Sequence, residues 1–156
     1  MIIRPIIRAD LPALKTVINA TELFPGEMLD AMTAPHLDGE AEEIWLTAEA
    51  DGPVGLAHAA PERMTEGTWN LLLIAVHPDR QGQGIGTRLT QAIEERLTAL
   101  GTRVLLVETS GLPEFEATWA FYRLRGFEEE ARIREFYRAG EDKIIFRKTL
   151  TATQRA

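Results

Sequence analysis

At 156 residues, with 45% hydrophobic and 26% charged side chains, the chain has the make-up of a single globular domain able to bury a proper core. A net charge of −7 argues against general nucleic-acid binding, which draws most of its affinity from a basic surface; it suits a cationic amine substrate, or serves solubility alone. The absence of cysteine excludes disulfides, thiolate metal sites and a cysteine nucleophile, and no apolar run approaches the roughly 20 residues of a membrane span.

The opening residues Met1-Ile2-Ile3-Arg4-Pro5 lack a signal-peptide layout, so the expected location is cytoplasmic, with no membrane association. Ile2, Ile3, Ile6 and Ile7 form a β-branched cluster that predicts a first strand within residues 1–8, with Pro5 marking an edge or a break. Asp10 suits a helix N-cap and Pro12 a first turn, and Leu11, Leu14, Val17 and Ile18 recur at helical spacing, predicting a helix over 11–20. Residues 21–26 break the chain, and a short helix is expected around 27–32. Residues 45–49 read as a strand, Asp51-Gly52-Pro53 as a turn and 54–60 as the next strand. A polar connection over 61–67 leads to a strand over 68–76, completing an antiparallel meander.

From Ile85, the apolar positions Leu89, Ala92, Ile93, Leu97 and Leu100 mark an amphipathic helix, with Gly101 placed as its C-terminal cap. A strand over 103–109 follows, carrying the apolar run Val104-Leu105-Leu106-Val107. The strand–helix–strand passage predicts a right-handed crossover between parallel strands. Ser110-Gly111-Leu112-Pro113 breaks the chain, a helix is expected over 115–125 with Gly126 ending it, and two final strands over 127–137 and 143–150. One domain over 1–150 and a flexible tail over 151–156 complete the expected organisation.

The stretch between the strand 68–76 and the helix from Ile85 carries the chemistry. Gly82, Gly84 and Gly86 stand at every second position where strand gives way to helix. Glycines let the backbone approach an anion, and the first turn of a helix offers N–H groups without internal partners. A Walker A loop is excluded because no Lys follows any of these glycines. The dinucleotide pattern Gly-x-Gly-x-x-Gly fails in both registers, where Thr87 or Leu89 stands at the sixth position.

What fits is Gln81-x-x-Gly84-x-Gly86, which resembles the coenzyme A loop of the GNAT superfamily of N-acetyltransferases. The match extends back through Ile74-Ala75-Val76-x-Pro78 and forward through Arg88-Leu89. A second block, Ala120-Phe121-Tyr122-x-x-x-Gly126-Phe127, follows in the order the family has it. The resemblance implies an α/β fold with a mixed central sheet, flanking helices and two splayed parallel strands, here 71–76 and 104–109, that admit the pantetheine arm. It implies acetyl-coenzyme A as cosubstrate, no metal, and direct transfer to a primary amine without a protein nucleophile. Mapped by motif, the backbone of Ile74, Ala75 and Val76 meets the pantetheine and polarises the thioester carbonyl. The loop Gln81, Gly82, Gln83, Gly84, Ile85, Gly86 and Thr87 holds the pyrophosphate, flanked by Arg80 and Arg88, whose guanidinium groups suit phosphate or simply solvate the surface.

Tyr122 stands where the family has its general acid; a phenol stays protonated at neutral pH and can pass its proton to a departing thiolate. The alternative is an aromatic packed on the sheet. The amine must lose a proton, so a base or a water chain is needed. Aligned through the glycines, Asn70 takes the place of the glutamate that serves the histone-acetylating branch; Asn orients a water but does not accept the proton. Glu108, at the end of an apolar run, is the preferred base, with Glu62, Glu66 and His58 as further candidates. In the family the first helix, its loop and the second helix wall the acceptor site, so Phe24, Met28, Leu29 and Met32 line a pocket or pack as core. The segment between Thr109 and Tyr122 is longer than in many relatives, and Thr118 replaces a frequent Asn. The expected acceptor is a small amine or an amino-acid-like molecule, with a protein N-terminus or side chain second; a homodimer is common in the family. The competing readings are a non-catalytic acyl-coenzyme A-binding module and a nucleotide-dependent enzyme.

Overall fold

The computed structural model describes residues 1–150; the tail expected over 151–156 lies outside them. Seven strands, β1 (Ile2–Pro5), β2 (Ile44–Glu49), β3 (Pro53–Pro61), β4 (Thr68–Val76), β5 (Val104–Ser110), β6 (Glu128–Arg138) and β7 (Glu141–Thr149), form one mixed sheet in the order β1-β2-β3-β4-β5-β7-β6. The helices are α1 (Leu11–Thr21), α2 (Leu29–Leu37), α3 (Ile85–Ala99) and α4 (Glu116–Leu124). Among the described residues no helix is long and apolar enough to cross a membrane. The chain divides into two compact units: Met1–Pro61 with Leu72–Arg96, and Glu62–Leu71 with the chain from Leu97 onward.

In the first unit, Leu14, Val17 and Ile18 of α1 are buried with Ile6, Leu29, Trp45, Leu56 and Ala75, and Phe24, Met32, Leu37 and Leu73 pack against them. The first strand ends at Pro5, short of the expected 1–8, because proline has no N–H for a ladder and the chain then turns through Arg8–Asp10. Asp10 precedes α1 as expected, but its carboxylate makes no cap bond. Instead it accepts two 2.8 Å hydrogen bonds from the Arg4 guanidinium and one from the Ile7 N–H. The second helix runs to Leu37, through Pro35, where a stop at residue 32 was expected. A proline in that place removes its own hydrogen bond, while buried Thr33 and core-packed Leu37 on either side hold the turn. At Gly55 of β3, an added Cβ would meet Leu89 Cδ1 at 3.1 Å and Ile85 Cγ2 at 3.2 Å, so the missing side chain lets the start of α3 lie close on the strand.

The Asp10 bracket has a measurable consequence. Arg4 holds the Asp10 carboxyl below the usual carboxylate range, with burial acting in the opposite sense. A depressed carboxyl stabilises the fold fully above its unfolded pKa of ~3.9, and that contribution fades as pH falls through the folded value. Asp10→Asn is expected to lower stability by about 1–3 kcal/mol at pH 7. Urea melts at pH 7 and pH 3 should show the gap between variant and parent closing in acid.

In the second unit, β4 and β5 pair in parallel from Thr68–Val104 to Leu71–Val107, while β4 itself continues to Val76 and β5 to Ser110. β5 pairs antiparallel with β7 along its whole length. Trp69, Leu71, Leu105, Val107, Tyr122, Phe127, Ile144 and Phe146 are among the buried apolar residues of this unit. The segment before α4 is more ordered than a loop: Pro113–Phe115 forms a 3-10 turn and Trp119 Nε1 donates to the Ser110 carbonyl at 2.9 Å. Gly126, with φ +93°, ends the helix as expected, and the Phe127 N–H closes on the Tyr122 carbonyl at 3.0 Å.

Candidate active site

The glycine loop belongs to the first unit. Ala75 is buried at the end of β4, and the His77 N–H bonds the Val54 carbonyl at 2.9 Å, fixing where the strand ends. A 3-10 turn over Pro78–Arg80 follows, with His77 Nδ1 accepting the Asp79 N–H. Gln81 folds back so that its Nε2 donates to the Val76 carbonyl at 3.1 Å, which explains why a glutamine opens the motif. Gly82 and Gly84 both have φ +79°, and an added Cβ at either meets nothing within 4 Å among the described residues. The backbone is therefore bare on the side a Cβ would cover. Buried Ile85 anchors the start of α3, whose first backbone bond runs from the Arg88 N–H to the Gly84 carbonyl. The N–H groups of Ile85 and Gly86 precede that ladder and face forward at the positive end of a 15-residue helix, with Thr87 half-buried beside them. Among the described residues the side chains of Arg80 and Arg88 make long contacts of 3.4 Å, to Gln83 Oε1 and the Met1 carbonyl. Bare backbone, forward-facing donors and two cations fit a pyrophosphate.

Tyr122 lies in the second unit, on α4, only 7% exposed. Its ring meets Phe121, Phe127 and Phe146 at centroid distances of 5.3, 5.5 and 6.0 Å. Burial pushes the phenol up to about 12, so it is a firmly held proton at neutral pH.

The same unit brings together three of the proton-handling candidates. Asn70 Nδ2 donates to Glu62 Oε2 at 2.9 Å and to Glu108 Oε2 at 3.1 Å. The hairpin contact from the Glu62 N–H to the Thr68 carbonyl places Glu62 beside Asn70. Asn70 pairs with Leu106, which puts Glu108 two residues along the same face. Glu108 is not the buried carboxylate its apolar flank suggests: its side chain is 30% exposed and pairs with Lys143 Nζ at 2.9 Å. Lys143 escaped the sequence reading. The register of Glu108 with Ile145 sets Lys143 diagonally on the same face, and only the pairing of β5 with β7 reveals it.

The other candidates stand apart. Glu66 is an exposed residue whose backbone carbonyl accepts Arg103 Nε at 2.7 Å. His58, in the first unit, stacks on Trp45 at 3.7 Å, and its Nε2 shares Glu43 Oε1 with Trp45 Nε1. Desolvation holds this imidazole below its ordinary value, against the pull of Glu43. Of the expected pocket wall, Leu29 is fully buried, Phe24 and Met32 pack on the core, and Met28 is 49% exposed.

The family model of the acetyltransferase (GNAT) family matches residues 11–127. A GNAT-family protein from Desulfovibrio desulfuricans is 34% identical, with a TM-score of 0.85 over 96% of this chain and 98% of that one. A ribosomal-protein-alanine N-acetyltransferase from Brucella melitensis is 25% identical, with a TM-score of 0.77 over 96% of this chain and 100% of that one. An aminoglycoside 6'-N-acetyltransferase complexed with coenzyme A shares the fold at 21% identity, with a TM-score of 0.79 over 96% and 97% of the two chains. No curated protein matches the sequence. With its glycine loop, its tyrosine block and three quarters of its length inside the family's pattern, the chain belongs to the GNAT family of acetyltransferases.

Proposed function

We propose that residues 1–150 transfer an acetyl group from acetyl-coenzyme A directly to a primary amine of a small-molecule or amino-acid-like acceptor. The observation that carries this reading is the bare loop, with two left-handed glycines ahead of a long helix and, among the described residues, nothing within 4 Å of where their Cβ atoms would stand. Bound acetyl-coenzyme A supplies an acyl thioester and a thiolate leaving group. The N–H groups from Gln81 to Gly86 hold its pyrophosphate, and Arg80 and Arg88 neutralise phosphate charge. The backbone of Ile74, Ala75 and Val76 positions the pantetheine; oriented donors at the thioester oxygen lower the barrier by ~3 kcal/mol each. Tyr122 gives the leaving sulfur its proton. Support for coenzyme A comes from the aminoglycoside acetyltransferase of the same fold, which is complexed with it.

A protein N-terminus is the second acceptor, favoured by the likeness to a ribosomal-protein-alanine N-acetyltransferase. A non-catalytic coenzyme-binding module would share the loop and have no use for Tyr122.

The test pairs two measurements. Coenzyme A at 100 times its Kd should stabilise the fold by about 2.7 kcal/mol, read as a rise in melting temperature that ATP and NAD do not reproduce. Thiol release from acetyl-coenzyme A should then depend on the acceptor across a panel of amines, amino acids and N-terminal peptides. A melting shift without thiol release favours the binding module. Absence of both would overturn the coenzyme reading.

A further inference from the structure

The group around Asn70 is incompletely satisfied, and what it lacks has a definite chemistry. Both protons of the Asn70 amide are engaged, by Glu62 Oε2 at 2.9 Å and Glu108 Oε2 at 3.1 Å. That fixes which way the amide points, since turning it over would aim its oxygen at two carboxylates. The residue is 4% exposed, and its Oδ1 is a buried acceptor that receives no hydrogen bond among the described residues. A buried acceptor in that state costs free energy until a donor arrives.

The two carboxylates differ. Glu108 has both oxygens taken, one by Asn70 and one by Lys143 at 2.9 Å, and the Lys143 ammonium is itself held over the Phe136 ring at 3.6 Å. Glu62 has one oxygen held by Asn70; among the described residues its Oε1 receives no hydrogen bond, and the side chain is only partly buried. Among the described residues Lys143 is the cation paired to these carboxylates, while Arg147, opposite Leu106 on the same face, turns its guanidinium to Thr149 Oγ1 at 3.1 Å. An orphaned amide oxygen and an unengaged carboxylate oxygen on the same bridged group call for a cation with more than one N–H. An alkylammonium has three. An anion is repelled, and a hydroxyl offers a single proton.

We propose that Glu62, and not Glu108, receives the acceptor's ammonium group and takes its proton, with Asn70 as the positioning residue, so that the acceptor is a cationic primary amine. This rests on the transferase reading above. The acceptor's N–H bond breaks and an O–H bond forms on Glu62, which later releases that proton to water. The freed nitrogen lone pair forms the C–N bond as the C–S bond breaks. A second proton leaves the nitrogen for water, and Tyr122, having given its proton to sulfur, takes one back from water. Glu108 and Lys143 pair with each other, Tyr137 lies within electrostatic reach of Glu108, and Arg147 stands on the same face of β7.

The test compares kcat/KM against pH for the full chain and for Glu62→Gln, Glu62→Asp, Glu108→Gln and Asn70→Ala, using the amine that gives the strongest thiol release. Glu62→Gln is expected to lose about 100-fold or more at pH 7. Its profile should climb tenfold per pH unit toward the amine's own pKa near ~10, because only the free amine then reacts. Glu62→Asp keeps a carboxylate and should keep the parental profile at a reduced rate, which also answers a Glu62→Gln variant that fails to fold. Asn70→Ala should raise KM for the amine more than it lowers kcat. If Glu108→Gln acquires the climbing profile while Glu62→Gln keeps the parental one, the proposal is overturned. A parent chain that binds coenzyme A yet releases no thiol with any amine overturns the transferase reading instead, and this inference with it.

Discussion

Tyr122→Phe should lower kcat by about 100-fold or more at pH 7 while leaving the melting shift induced by coenzyme A intact. The phenol is buried among three phenylalanine rings, and that environment pushes it up to about 12. A group so placed is fully protonated at neutral pH and has a proton to offer the departing sulfur. Phenylalanine fills the same space, and the Tyr122 hydroxyl makes no hydrogen bond among the described residues, so the substitution removes the proton without removing a structural partner. A second signature separates chemistry from packing. The folded value lies above the unfolded one of about 10, so the stabilisation from burying the neutral phenol is complete below pH 10 and fades as pH rises toward 12. The parent should lose about 2 to 3 kcal/mol over that window in urea melts, and Tyr122→Phe should lose that part of the slope. A phenylalanine variant with parental kcat would remove Tyr122 from the reaction, whatever its alkaline melt does.

How much of this was legible in the chain depended on whether the cause was local. The strand over 68–76, the loop and the helix from Ile85 are written in an apolar run, three glycines and a four-three spacing, all within one short stretch, and the structure has β4 and α3 where those signals put them. Gly101 and Gly126 ended their helices as expected because a left-handed turn leaves few alternatives to glycine. Signals that depend on partners far along the chain were silent or misleading. Asp10 reads as a cap from its neighbours, but Arg4 takes its carboxylate. The short helix expected around 27–32 runs instead to Leu37, because packing on either side carries α2 past Pro35. Glu108 looks buried from the apolar run before it; the β5–β7 register instead hands it Lys143. Asn70, Glu62 and Glu108 were separate candidates in the sequence, and a hairpin and a parallel register make them one hydrogen-bonded group. A residue type points to a chemistry, and register decides which residues share it.

Gly84→Ala should weaken coenzyme A binding by roughly 10- to 100-fold, the value of one or two charge-assisted hydrogen bonds to phosphate. The reasoning turns on what a methyl group meets. At Gly84 the backbone has φ +79° and the added carbon touches nothing within 4 Å, so folding suffers only the strain of a left-handed alanine, about 1–2 kcal/mol. Gly101 provides the matched control: φ is +83°, the added carbon again touches nothing within 4 Å, and it lies at the far end of α3. Alanine at either site should therefore lower the melting temperature of the free protein by a similar amount. They should part company when coenzyme A is added. The Gly101→Ala protein should gain as much stability as the parent, and the Gly84→Ala protein much less, because there the methyl stands between the backbone donors and the phosphates. Equal coenzyme-induced shifts in the two variants would mean that the bare face of the loop is a matter of turn geometry alone and that the pyrophosphate lies elsewhere.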